Sequence, residues 1–253
     1  KRALLAQGFR ARFCAAAIGT LAGSAVTVAM AGTGQPSPWQ ISLQGAVTDI
    51  AVGIHWLHHT ITTIIFAITI FVMLLLGYVM YAFSEKRNPT PSKTTHNSTL
   101  EFVWTVVPIL ILIGIALPSF KLLFAQYTYP TPDLVLKAQG NQWNWTHTYP
   151  DHQQADGKPV TFTTVLLQDA EREAQLKKGI PSPRLLAVDN EVLVPVGKNV
   201  HVLVTASDVI HNWTIPSFGS KVDAVPGRTT ATWFRAKQEG VFYGQCSELC
   251  GKD

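Results

Sequence analysis

Two thiols and an imidazole form the densest chemistry in the chain. Cys246 and Cys250 stand four positions apart in Gly244-Gln245-Cys246-Ser247-Glu248-Leu249-Cys250-Gly251, and His211 lies upstream. Such a set points to a metal. A blue-copper centre uses one thiolate, two imidazoles and a weak axial ligand, whereas two thiolates on one loop can bridge a pair of copper ions. The same spacing allows a Cys246 to Cys250 disulfide in an oxidising compartment, or a zinc site whose other ligands lie elsewhere. Spacing alone leaves these chemistries open, with His211 equally readable as a core or surface histidine and Glu248 as a solvated loop acid.

Two further groups have a chemical and a structural reading each. Gln142-Trp143-Asn144-Trp145 places two indoles at i and i+2, on one face of a strand, where core packing is the plain alternative to a redox role. Ser98-Thr99-Leu100-Glu101 is a capping box, in which Glu101 accepts a bond from an exposed backbone N–H at a helix start.

Taken with Asp208-Val209-Ile210-His211 and Lys221-Val222-Asp223-Ala224-Val225-Pro226-Gly227-Arg228, the thiol loop Tyr243 to Gly251 closely resembles subunit II of haem-copper cytochrome c oxidases, from about Trp39 onward. The resemblance implies a bacterial subunit II whose binuclear copper centre, CuA, accepts electrons from cytochrome c. They pass to the haems of subunit I for oxygen reduction coupled to proton pumping. It implies that Cys246 and Cys250 bridge the coppers, that His211 binds one, and that Glu248 contributes its backbone carbonyl. The Glu248 carboxylate would reach a magnesium ion at the subunit I boundary, a hard oxygen suited to a hard ion.

Trp143 matches the residue that receives the electron, although Asn144 replaces the Tyr common in the family. Glu101 matches a proton-uptake carboxylate. Asp189, Asp208, Asp151 and Asp156 are candidate docking acids for a basic cytochrome, since complementary charge mainly raises the encounter rate. The family loop continues with a His four residues after the second Cys and then a Met. This sequence stops at Asp253, so the intact gene is expected to supply both, and the 253 residues alone to bind copper loosely or singly. A copper-free quinol-oxidase subunit is the alternative, disfavoured by both cysteines; the CuA domain of a nitrous-oxide reductase is disfavoured by the membrane segments described next.

The elements that must position these residues are visible in charge and hydropathy. The chain carries 20 Lys and Arg against 16 Asp and Glu, a net charge of +4. Residues 1–120 hold 7 basic and 3 acidic side chains, leaving 13 of each beyond, so the excess lies wholly in the N-terminal part. Lys1, Arg2, Arg10 and Arg12 precede an apolar run, and Lys86, Arg87 and Lys93 separate two more. That is targeting and topology, not a nucleic-acid surface.

Residues 1–31 read as a cleavable secretory signal ending in Ala29-Met30-Ala31, with Cys14 inside it. Residues 32–59 form an outer N-terminal segment whose Trp39 to Trp56 stretch suits the membrane interface. Residues 60–84 carry no charge and, at ~1.5 Å per residue, span about 37 Å, more than the roughly 30 Å of a bilayer core. A second span is expected over 102–124, with Pro108 and Pro118 tolerated by the membrane setting. The basic loop 85–101 belongs in the cytoplasm by the positive-inside rule, which places both termini in the periplasm of a bacterial inner membrane. From 125 to 253 the pattern turns to short β-rich runs, 134–136, 143–149, 160–167, 191–194, 200–205, 229–234 and 241–243, interrupted by one short helix or loop insertion at 168–178. The expected architecture is a membrane α-helical hairpin plus an all-β sandwich, which the resemblance makes a cupredoxin-like Greek key.

Overall fold

The computed structural model describes residues 34–251; the signal expected at 1–31 and the last two residues lie outside that range. Two long helices lead, α1 (Asp49–Ala82) and α2 (Ser98–Tyr127), each long and apolar enough to cross a membrane. Their Ile, Leu, Phe and Val side chains stay exposed along most of both helices, as a lipid-facing surface requires.

Both spans are longer than 60–84 and 102–124. The helix α1 starts eleven residues earlier because Thr48 caps it, its Oγ1 accepting from Ala51 N at 3.0 Å while donating to the Phe218 carbonyl at 2.7 Å. Its first turn therefore packs on the sandwich, and the stretch read as interfacial is partly helix. In α2 the cap is Asn97, one residue before the expected Ser98: Asn97 Oδ1 accepts from Leu100 N, and Glu101 Oε1 accepts from Asn97 N at 3.3 Å. The reciprocal capping logic survives, shifted by one position.

The remainder is two packed sheets. The first runs β3-β2-β1-β4-β7, built from β1 (Leu134–Asn141), β2 (Asn144–Gln153), β3 (Pro159–Thr164), β4 (Val200–Ala206) and β7 (Thr230–Phe234). The second runs β6-β5-β8, from β5 (His211–Ile215), β6 (Ser220–Ala224) and β8 (Gln245–Cys246). β1 and β4 pair in parallel, Leu136 opposite Val202, while the other pairings between these strands are antiparallel. Alternation along β4 buries Val200, Val202 and Val204 completely against Leu136, Trp213, Phe218 and Phe234, with the core between the sheets. The insertion read at 168–178 is α3 (Asp169–Lys177), its start held by Glu171 Oε2 accepting from Gln168 N.

Strand expectations fail at three places. The runs 191–194 and 241–243 form no strand among the described residues; Leu193 N donates to Tyr149 Oη and Tyr243 N to the Gly34 carbonyl, and strand pairing resumes at Gln245. Trp143 lies in the turn joining β1 to β2, so the two indoles do not share a strand face. β5 has no sequence alternation because it is buried on both faces, His211 to Thr214.

Backbone and charge join hairpin to sandwich. Val47 is buried, donates to the Ser217 carbonyl at 3.0 Å and accepts from Lys237 N at 2.9 Å. Asp49 pairs with Arg235 and Lys237. At the other helix, Trp233 Nε1 donates to the Gln126 carbonyl and Tyr129 Oη to the Ala231 carbonyl.

Candidate metal centre

β5 opens with His211, and β8 places Cys246 beside it by pairing with Trp213, while Ser247 N donates to the Asn212 carbonyl. Sheet hydrogen bonding thus delivers one thiol to the imidazole, and the loop after Cys246 returns the second. The ligating atoms of His211, Cys246 and Cys250 all lie within 4.8 Å of one another, the one such group among the described residues. Sγ to Sγ is 3.8 Å, and both cysteines are free, so the disulfide alternative is not what this fold holds. Cys246 Sγ is 4.0 Å from His211 Nδ1 and 3.6 Å from the Glu248 carbonyl oxygen.

The imidazole is fixed from every side. His211 is 2% exposed, its ring lies against Gly140, where a Cβ would stand 2.8 Å from ring atoms, and Trp145 meets it edge-on at 6.0 Å. Nε2 lies 2.8 Å from Asp208 Oδ1. Asp208 is held at about 2, well below the usual carboxylate range, first by His211 and then by backbone N–H groups of Val209 and Gln142. An ionised Asp208 needs a donor, so Nε2 carries the proton and the Nδ1 lone pair faces the thiols. Burial, and then the bond to Cys246, pushes the Cys250 thiol up, so a metal must displace that proton to bind.

Around this group the other candidate residues separate. Trp143, about half exposed, donates from Nε1 to the Cys250 carbonyl at 3.3 Å, whereas Trp145 packs in the sandwich behind His211. The Glu248 carboxylate is exposed and turns back to accept from Leu249 N. Glu101 sits at the start of α2, about 25 residues of helix and roughly 37 Å from the sandwich end. The four candidate docking acids each have their own setting. Asp208 belongs to the imidazole, Asp189 accepts from Val165 N and Asn190 N, Asp156 pairs with Lys158, and Asp151 stands exposed on β2. Sequence reasoning took Asp208 for a surface acid and assigned Gln142 nothing; the Asp-x-x-His spacing was the available signal for the first.

Two soft sulfurs, one nitrogen and a nearby carbonyl form a donor set that suits copper, and sulfurs 3.8 Å apart suit shared ions. The chain is similar to known proteins. The family described as "Cytochrome C oxidase subunit II, periplasmic domain" matches residues 134–253, and its transmembrane-domain counterpart matches 36–122. Cytochrome c oxidase subunit 2 of Cereibacter sphaeroides is 46% identical over 86% of this chain and 74% of its own length. A probable subunit 2 of Rickettsia conorii is 44% identical over 86% of this chain, which spans 65% of that relative. The periplasmic domain of cytochrome oxidase subunit II of Bradyrhizobium japonicum is 49% identical, covering 50% of this chain and 80% of that one, with a TM-score of 0.42.

Proposed function

Since the chain belongs to the cytochrome c oxidase subunit II family, we propose that its sandwich holds a two-copper centre passing electrons from cytochrome c to the haems of subunit I. It is a membrane protein with two spans and associates with other oxidase subunits. In this reading Cys246 and Cys250, the Nδ1 of His211 and the Glu248 carbonyl would hold the copper. A thiolate-bridged copper pair supplies one-electron transfer with charge spread over both ions. The protein's task is to keep the ligands where they are while charge changes, and placing His211 and Cys246 on paired strands does this.

Trp143 is the electron-input residue: its half-exposed ring faces outward while its N–H touches the peptide of a bridging cysteine. The Glu248 carboxylate, freed from Leu249 N, serves magnesium at the boundary with subunit I, and Glu101 takes up protons at the opposite end of α2. Lys86, Arg87 and Lys93 keep the interhelix loop in the cytoplasm of a bacterial inner membrane, so that the sandwich stands in the periplasm. Both thiols being present supports this over a copper-free quinol-oxidase subunit.

The observation that carries the reading is the approach of two soft sulfurs and an imidazole nitrogen within 4.8 Å. Electron paramagnetic resonance of the copper-loaded intact gene product tests it. Hyperfine structure shared by two copper nuclei is expected, and its loss in Cys246→Ser and in Cys250→Ser. An isolated-copper spectrum, or preferential retention of zinc, would overturn it.

A further inference from the structure

Gln142 carries no ligand atom, yet it touches both halves of the metal centre. Its backbone N–H donates to Asp208 Oδ2 at 2.7 Å, and the other oxygen of that carboxylate binds His211 Nε2 at 2.8 Å. Its side-chain Nε2 donates to the Cys250 carbonyl at 2.8 Å. One residue therefore holds the imidazole through Asp208 and the thiol loop through the peptide of Cys250 itself. We propose that Gln142 is a positioning residue that fixes the His211 half of the centre against the Cys250 half. The proposal rests on the copper reading given above.

The residue type follows from the surroundings. The Cys250 carbonyl needs a donor, and Asp208 beside it makes a further negative charge unfavourable. A neutral amide meets both conditions. A Glu of the same shape would set acceptor against acceptor and add a charge, and an Ala would leave the carbonyl to Trp143 alone, at 3.3 Å. The Trp143 ring is itself seated on the loop, since a Cβ at Gly251 would stand 2.8 Å from the indole. Trp143 and Gln142 thus reach the same carbonyl, and loosening one displaces the other. Gln142 is exposed, so its bonds contribute little to holding the sandwich together while deciding where one thiol stands. That separation of folding from ligand geometry makes the role measurable.

The test uses the intact gene product with Gln142→Glu and Gln142→Ala. Outer partners of metal ligands typically set affinity by about ten-fold to one-hundred-fold, and a loss of that size in copper affinity is expected in both variants. Altered copper hyperfine structure should accompany it, while the unfolding midpoint of the metal-free protein stays that of the parent. In the metal-free protein, alkylation of Cys250 by iodoacetamide should speed up relative to Cys246. Parent-like copper affinity, spectrum and alkylation ratio in Gln142→Glu would overturn the proposal, and that same-shape variant carries the test should Gln142→Ala fold poorly. If the parent itself shows no shared hyperfine structure, the copper reading falls. The alkylation ratio then still decides the role of Gln142, because it needs no metal.

Discussion

Trp143 and Trp145 are two positions apart and differ in everything that matters for electron input. One is half exposed and bonded to the Cys250 carbonyl; the other is packed behind the imidazole. Trp143→Phe keeps most of the ring but loses the N–H and the indole. It is expected to slow electron input from cytochrome c at least about ten-fold, 1.4 kcal/mol in barrier terms, with Trp145→Phe acting mainly on stability. Stopped-flow reduction by cytochrome c decides this, and the reverse ranking would name the other indole. His147 supplies a second test at this scale. It is buried with Nδ1 on Thr164 Oγ1 and its ring near Phe162, and burial lowers it to about 4. Above about pH 6.5 it is neutral folded or unfolded and adds no pH dependence. As pH falls from there toward 4 only the unfolded chain takes up the proton, so stability is lost, on the order of 3 kcal/mol for this shift. Denaturant titrations across that window should show the loss in the parent and a flatter profile in His147→Leu.

At the scale of elements, the centre depends on how closely β1 and β5 approach. Gly140 on β1 leaves the gap that the His211 ring fills, and any Cβ there would meet two ring atoms at 2.8 Å and the His211 Cβ at 2.9 Å. Gly140→Ala therefore overpacks a buried contact, at a cost of about 1–3 kcal/mol, and displaces the imidazole as well. Thermal unfolding of the metal-free protein should fall, and copper affinity should fall further than stability alone requires; unchanged affinity would show that the ring has room to move. The β5–β8 pairing has a similar consequence. It spans only Trp213 with Cys246 and Thr214 with Gln245, so the ligand loop leans on a short ladder and on the bonds Gln142 and Trp143 make to it.

Across the whole molecule, hairpin and sandwich meet through paired backbone, buried side chains and the Asp49 ion pairs, not through a free linker. Such a joint fixes the height of the metal group above the lipid, which a partner that accepts electrons at one depth requires. The proposed orientation makes a direct prediction. In sealed right-side-out vesicles, protease should digest the sandwich and spare the loop between Ala82 and Ser98. Cleavage of that loop with the sandwich protected would invert the topology.

Much of this was legible in the chain itself. Uncharged runs of membrane length announce two helices because a bilayer core has no water to satisfy polar groups, and that constraint is local. The β-rich half and the Cys246, Cys250 and His211 set were visible for the same reason, as residue types with a narrow range of uses. What tertiary structure alone decided is proximity. Thirty-five positions separate His211 from Cys246 in sequence, and only the β5–β8 ladder makes them neighbours. Asp208 looked like a solvated acid until folding turned it onto the imidazole, and Gln142 had no assigned role until the loop end returned to it. Helix ends were missed likewise, since Thr48 caps α1 against a carbonyl 170 residues away. Periodicity and composition report on each residue's neighbours along the chain, whereas hydrogen bonds between distant segments depend on the fold that brings them together.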